Sequence, residues 1–195
     1  VMLLIDDMPA LQVDAGFPNW GDMPIENIDQ VEIVKGASSA LYGSAALNGI
    51  INIRTGTPTA TPQTKLTAAY TSFGSPRDPA KKWWGDTARY EYMLSAVHKQ
   101  KFDRLDFVGS FFHFREESFN KATYDSRYRG TVKLKYRISD KAFIGLNTLV
   151  NKGEDGDFFI WEFGDERAHN PVPDGEAVGK ILRYFIDPSF VIEDG

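Results

Sequence analysis

The sequence contains no cysteine, so disulfide cross-links and thiolate chemistry are excluded. That absence fits the envelope of a bacterium. No run approaches the ~20 consecutive apolar residues of a membrane-crossing helix, which leaves strands as the means of any crossing. Charge of one sign is not in excess: 22 basic residues stand against 27 acidic ones, a net of −5, and no basic patch suggests nucleic acid as a partner. The three histidines do not cluster. His98 and His113 fall on consecutive predicted strands, about 25 Å apart when counted along the hairpin, and His169 lies alone in a loop. No Ser–His–Asp spacing, phosphate loop or metal-ligand cluster stands out, so neither an enzyme nor a cofactor is expected.

Aromatics are abundant at 13% of residues, which suits strands and membrane interfaces. The chain opens at Val1 on an apolar run without a signal peptide and stops just after another apolar stretch, and it reads as a fragment. Residues 1–57 are mixed in pattern. Met2 to Ile5 reads as a buried strand, Asp6 to Trp20 as loop, and Gln30 to Val34 as a second strand. Ser38 or Ser39 can cap a short helix through Tyr42, ended by Gly43, before a third strand at Gly49–Ile53. Gly56 to Pro62 is a stiff stretch without an apolar anchor, and the linker is placed at 58–63.

Beyond residue 63 alternation of period two takes over and predicts six strands, at 64–73, 87–99, 104–116, 127–138, 142–152 and 180–192. Tyr90, Tyr92, Leu94 and Ala96 share one face of their strand; Val132, Leu134, Tyr136 and Ile138 share one face of theirs. The predicted connections alternate long and short: 74–86, 100–103, 117–126, 139–141 and 153–179. That asymmetry, with strands of ~10–13 residues, belongs to outer-membrane barrels rather than to soluble sandwiches. Tyr90, Tyr92, Phe111, Phe112 and Phe114 fall at the long-connection end, where an interfacial aromatic belt would sit, although ordinary cross-strand packing gives the same pattern. The connection 153–179 is acidic; Glu154-Asp155-Gly156-Asp157 could hold calcium, but the ligand spacing of calcium loops is missing and a solvated loop is the simpler reading.

The segment Pro24 to Ile53 carries the strongest signal. It holds a strand ending in Lys35-Gly36, then Ala37-Ser38-Ser39, then Leu41-Tyr42-Gly43, then Gly49-Ile50-Ile51-Asn52-Ile53. This pattern resembles the C-terminal half of the plug of TonB-dependent outer-membrane receptors, with Gly36, Tyr42, Gly43, Gly49 and Asn52 as motif residues. Leu4-Ile5-Asp6-Asp7-Met8-Pro9 is similar to the family's upstream strand and turn, with Asp7 where glycine is usual. Phe73 to Arg77 and Trp83 to Asp86 look similar to receptors of Bacteroidota-like bacteria.

The resemblance implies a mainly β chain: the end of a small α+β plug domain over 1–57, then the first six or so strands of a transmembrane antiparallel β-barrel of roughly 22 strands over 64–195. It implies active import of a scarce substrate, with a ferric siderophore or other iron chelate as the first expectation, driven by the TonB–ExbB–ExbD complex through an upstream TonB box. Outer-membrane lipid is then a partner. Glycan import is the runner-up within the family. A passive porin would explain the strands but not the plug motif, and a soluble β-rich binding module would explain the aromatics but not the connections. Phe17, Asn19 and Trp20 correspond to a plug apex that would meet cargo, though they could equally pack that apex against the wall. Trp83, Trp84 and Trp161 in long connections are further candidates for cargo or lipid contact. Lys35 and Arg54 are expected to pair with acidic groups of the barrel, with solvated strand ends as the alternative.

Overall fold

The computed structural model describes residues 1–12, 16–36, 46, 48–162 and 170–192. The predicted helix from Ser38 or Ser39 to Tyr42, with Gly43, lies outside the described residues, as do Val13–Ala15 and His169. The chain forms two sheets.

The smaller sheet has four strands in the order β2-β1-β4-β3: β1 (Met2–Ile5), β2 (Met8–Pro9), β3 (Ile28–Val34) and β4 (Ile50–Thr55). β1 runs parallel to β4, so it is covered on both faces and reads as an uninterrupted apolar run, Met-Leu-Leu-Ile. Leu3, Ile5 and Ile53 pack on one side, and Met2, Leu4 and Ile50 on the other. The tight turn between β1 and β2 places Asp6 and Asp7 at φ +47° and +68°. The usual glycine at position 7 is thus replaced by a residue type that tolerates left-handed backbone. Gly49 at φ +100° could not be replaced, because a Cβ there would lie 2.5 Å from the carbonyl oxygen of Val34.

The larger sheet is an antiparallel meander, β5 (Gln63–Phe73), β6 (Arg89–Lys101), β7 (Leu105–Glu117), β8 (Tyr124–Arg137), β9 (Ala142–Phe158) and β10 (Glu176–Ile192), each strand paired with the next. It is not closed, and β5 and β10 are its edges. All six predicted strands are present, but the last two are longer than expected, at 17 residues each. Their connection shrinks to 159–175, and the connection before β8 to 118–123. The acidic run Glu154–Asp157 is therefore strand, not solvated loop: Asp155 pairs with Asp125 and Gly179, and Glu154 with Ser126 and Lys180. Alternation sends Glu154 to one face and Asp155 and Asp157 to the other, so the run cannot wrap one calcium ion.

Register fixes which face each side chain takes. One face packs on the small sheet and contains Ser95, Val97, Val108, Phe112, Arg129, Leu149 and Asn151, all buried. Leu149 completes the small sheet's own core beside Leu3, Ile5 and Ile53, with Phe185 against it. The opposite face exposes Leu66, Leu94, Phe111, Val132, Ile144, Val150, Ile186 and Phe190. An apolar face of that extent is a liability in water and a requirement in hydrocarbon.

Toward the long-connection end this apolar face carries a run of rings. Tyr70 stacks on Tyr90, Tyr90 on Tyr92, and His113 lies between Tyr92 and Tyr128, its ring 4.0 Å from that of Tyr128. The belt and cross-strand packing are thus the same contacts here. Phe112 and Phe114 are corrections to that belt. Neighbours on a strand point to opposite faces, so Phe111 turns out while Phe112 is buried toward the small sheet, under the Arg129 guanidinium at 4.4 Å. The histidine separation also needs correction. His113 pairs with Leu94, four residues from His98, a spacing of about 13 Å, still too far for a shared metal.

Candidate functional site

Among the described residues, the small sheet meets the wall of the larger one through four acidic residues. Asp22 and Glu26 lie in two 3-10 turns, Trp20–Asp22 and Ile25–Asn27, and Asp6 and Asp29 flank them on the small sheet's turn and β3. Each finds a cation on the inward face of the wall. Arg129 on β8 binds Glu26 at 2.6 Å, with both side chains almost fully buried, and donates to the Gly21 carbonyl at 2.9 Å. Ser110 on β7 donates to the other oxygen of Glu26 at 3.0 Å. Asp22, wholly buried, receives Arg183 of β10 at 2.9 Å and the amide of Asn151 at 2.7 Å. Lys133 reaches Asp6 at 3.1 Å, and Lys99 reaches Asp29 at 2.6 Å.

Burial alone would push the Asp29 carboxyl up, but the hydrogen bonds from Lys99 and from the Thr57 N–H outweigh it and hold the group below its ordinary value. A depressed carboxyl stabilises the contact at all pH above its ordinary range. The contribution fades only as pH falls through the depressed value, so this bridge persists through neutral and mildly acidic conditions.

The polarity is the reverse of the sequence expectation. Arg54 does not reach an acidic barrel group. It is engaged by Asp7 and, at 3.2 Å, by Glu32, both on its own sheet, and Asn52 joins the same network by donating to Asp7 at 2.9 Å and Glu32 at 3.2 Å. Lys35 is exposed and forms no ion pair with another described residue. The acids sit on the small sheet and its turns, and the bases on the wall. Strand parity contained this signal, because Arg129, Lys133 and Arg183 fall on the same face as buried Thr131, Asn151 and Leu149.

The expected cargo-contacting residues fall into three places. Phe17 and Trp20 are 68% and 50% exposed on the segment just before the Asp22 anchor. Asn19, between them, accepts from the Gly21 N–H at 3.1 Å and so caps the turn that presents Trp20. Trp83 and Trp84 hold the connections together instead of standing open. Trp83 donates to the Phe119 carbonyl at 2.8 Å and lies 4.3 Å under the Arg89 guanidinium, and Trp84 is buried against it. Trp161 is exposed beside Phe159 and Ile160 in the β9–β10 connection, where it bridges Pro171 on the returning side. Gly36 adopts φ +89° at the end of β3, and Tyr42 and Gly43 lie outside the described residues.

Residues 1–50 match the TonB-dependent Receptor Plug Domain family. The vitamin B12 transporter BtuB of Vibrio cholerae is 36% identical over 55 residues, 28% of this chain and 9% of the relative. The ferric enterobactin receptor PirA of Pseudomonas aeruginosa is 34% identical over 80 residues, 41% of this chain and 10% of the relative. The chain thus spans about a tenth of the length of these relatives at the matched region. Among solved structures, the ferripyoverdine receptor of the Pseudomonas aeruginosa outer membrane superposes with a TM-score of 0.63 at 12% identity, over 97% of this chain and 25% of that one. Over residues 1–50 the chain is thus similar in sequence to the plug of TonB-dependent receptors, and it seats that segment against the polar inward face of a sheet whose outward face is apolar.

Proposed function

We propose that the receptor containing this chain imports a large, scarce substrate and that the cargo is an iron chelate. Residues 1–57 are taken as the end of its plug, 58–63 as a linker, and 64–195 as barrel wall. The observation that carries the reading is the charged seat of the plug. Two ion pairs, the nearly dry Glu26–Arg129 and the half-buried Asp22–Arg183, fasten it to the inner face of a sheet whose outer face is apolar. A barrel blocked in this way has no use for passive flow of large solutes. Work must be done on the plug, and the TonB–ExbB–ExbD complex is the partner this reading assigns to that work. No covalent step is assigned to the protein. Iron is favoured because PirA and the ferripyoverdine receptor bear iron-chelate names, while the BtuB match makes cobalamin the second reading.

The apex aromatics supply the test. Phe17 and Trp20 are exposed without holding the fold together, so Phe17→Ala with Trp20→Ala should weaken binding of a ferric catecholate by about tenfold and leave the amount of receptor in the outer membrane unchanged. Titration of the purified full-length receptor with labelled ferric chelate and with cobalamin measures this directly. Cobalamin binding without chelate binding would replace the cargo, and chelate binding insensitive to both substitutions would remove the apex from the site.

Orientation follows from the connections. β5 leaves the plug side and runs outward, so 74–88, 118–123 and 159–175 face the exterior, and 102–104 and 138–141 face the periplasm. Single cysteines placed at Ala80 and Asp174 in the full-length receptor should react with a membrane-impermeant maleimide on whole cells, and one at Asp140 should not. The opposite labelling would invert the topology.

A further inference from the structure

The lipid-facing side of the wall carries a polar feature that cargo import does not use. Across β8, β9 and β10, just beyond the ring belt, lies a cleft of about 400 Å³ walled by Ser126, Tyr128, Lys152, Glu154, Lys180 and Leu182. Register sets all six on the outward face: Ser126 pairs with Glu154 and Glu154 with Lys180, and one step along the strands Tyr128 pairs with Lys152 and Lys152 with Leu182. In the same outward row, Arg115 of β7 pairs with Ser126.

We propose that this cleft binds the phosphate headgroup of a phosphorylated outer-leaflet lipid. The inference rests on the barrel-wall reading and its orientation, and is independent of the cargo. Lys152 is exposed and forms no ion pair with another described residue. Lys180 faces outward and lies 3.7 Å from Glu154, a loose pair that a stronger acceptor displaces. Glu154 also accepts the Tyr124 hydroxyl at 3.3 Å, so its charge is partly occupied. The cleft thus offers two lysines against one carboxylate, with a hydroxyl from Ser126 and another from Tyr128.

Its position selects a lipid over a free anion. Below the lysines the outward face continues as Leu182, Tyr184 and Val150, all exposed, and then Ile186. A headgroup held at the lysines would lay its acyl chains on that apolar band, while a soluble phosphate would gain nothing from it. Lysines at the upper margin of an apolar band can lay their stems on it and keep their ammonium groups at headgroup height.

The test uses the full-length receptor in non-ionic detergent, titrated with diphosphorylated lipid A and followed by native mass spectrometry. Lys152→Ala with Lys180→Ala should weaken binding by roughly thirtyfold, about fivefold for each lysine. Lys152→Arg with Lys180→Arg should keep it, and Lys141→Ala, the loss of one positive charge at the opposite end of the wall, should leave it unchanged. The same lipid stripped of phosphate should bind as weakly as the double alanine variant sees the intact one. Inorganic phosphate at millimolar concentration should not compete. Equal binding by wild type and the double alanine variant would overturn the site, and full competition by inorganic phosphate would overturn the lipid assignment in favour of a soluble anion.

Discussion

Replacing Arg129 with methionine should loosen the plug segment around Glu26 by about two to three orders of magnitude in local opening. The pair is the driest in the interface: 2% and 1% of the two side chains are exposed. Removing one member of such a pair leaves a buried charge without a counter-ion and typically costs about 3–5 kcal/mol, where 1.4 kcal/mol is a factor of ten. Glu26 would keep only the Ser110 hydroxyl, and Gly21 would lose one of the two donors on its carbonyl, keeping Asn151 at 3.1 Å. Methionine fills much of the arginine's volume over Phe112, so the effect reports charge rather than a cavity. Hydrogen exchange of residues 21–34 in the full-length receptor is the measurement, and faster exchange confined to that stretch is the expected result. Adding Glu26→Gln should recover most of the loss, because removing both charges also removes the desolvation penalty. Unchanged exchange in the single variant would mean that the apolar contacts through Leu149 and Phe185 seat the plug unaided.

How much of this was legible in the sequence differs from element to element. The second and fourth wall strands announce themselves by alternation, since Tyr90, Tyr92 and Leu94 against Arg89, Glu91 and Ser95, and Val132, Leu134 and Tyr136 against Thr131, Lys133 and Lys135, admit no other period. The ends of β9 and β10 do not. Gly153-Glu154-Asp155-Gly156-Asp157 has the composition of a loop, and only pairing with a β8 that begins at Tyr124 keeps it extended. The plug segment was legible through its motif because glycines at φ +89° and +100° leave a mark in the sequence. The seat was not, because its partners are separated by 103 residues for Glu26–Arg129 and 161 for Asp22–Arg183. Arg54 was misassigned for the same reason: a basic strand end does not say whether its acid lies across the wall or, as with Asp7 and Glu32, across its own sheet. Adjacent Phe111 and Phe112 could have been separated from the start, since neighbours on a strand cannot share a face.

The second large effect concerns energy. A plug held by one nearly dry ion pair and several half-buried ones opens rarely by itself, and its inner-face contacts with β7, β8, β9 and β10 must yield together for a large solute to pass. Thermal opening against several kcal/mol of coupled contacts is too infrequent to support uptake of a scarce solute. Binding and transport should therefore separate: cargo should bind de-energised cells as tightly as energised ones, and should enter only the energised ones. The Arg129→Met receptor sharpens the expectation, since a loosened plug should leak a little in the absence of energy while still importing far faster with it.

The most direct measurement is uptake of labelled ferric chelate through the full-length receptor, in cells lacking other routes for it, with the proton-motive force intact and then collapsed by an uncoupler. The account predicts surface binding in both conditions and accumulation only in the first. Equal accumulation in both would make the protein a diffusion pore and contradict the plugged, energy-driven receptor described above.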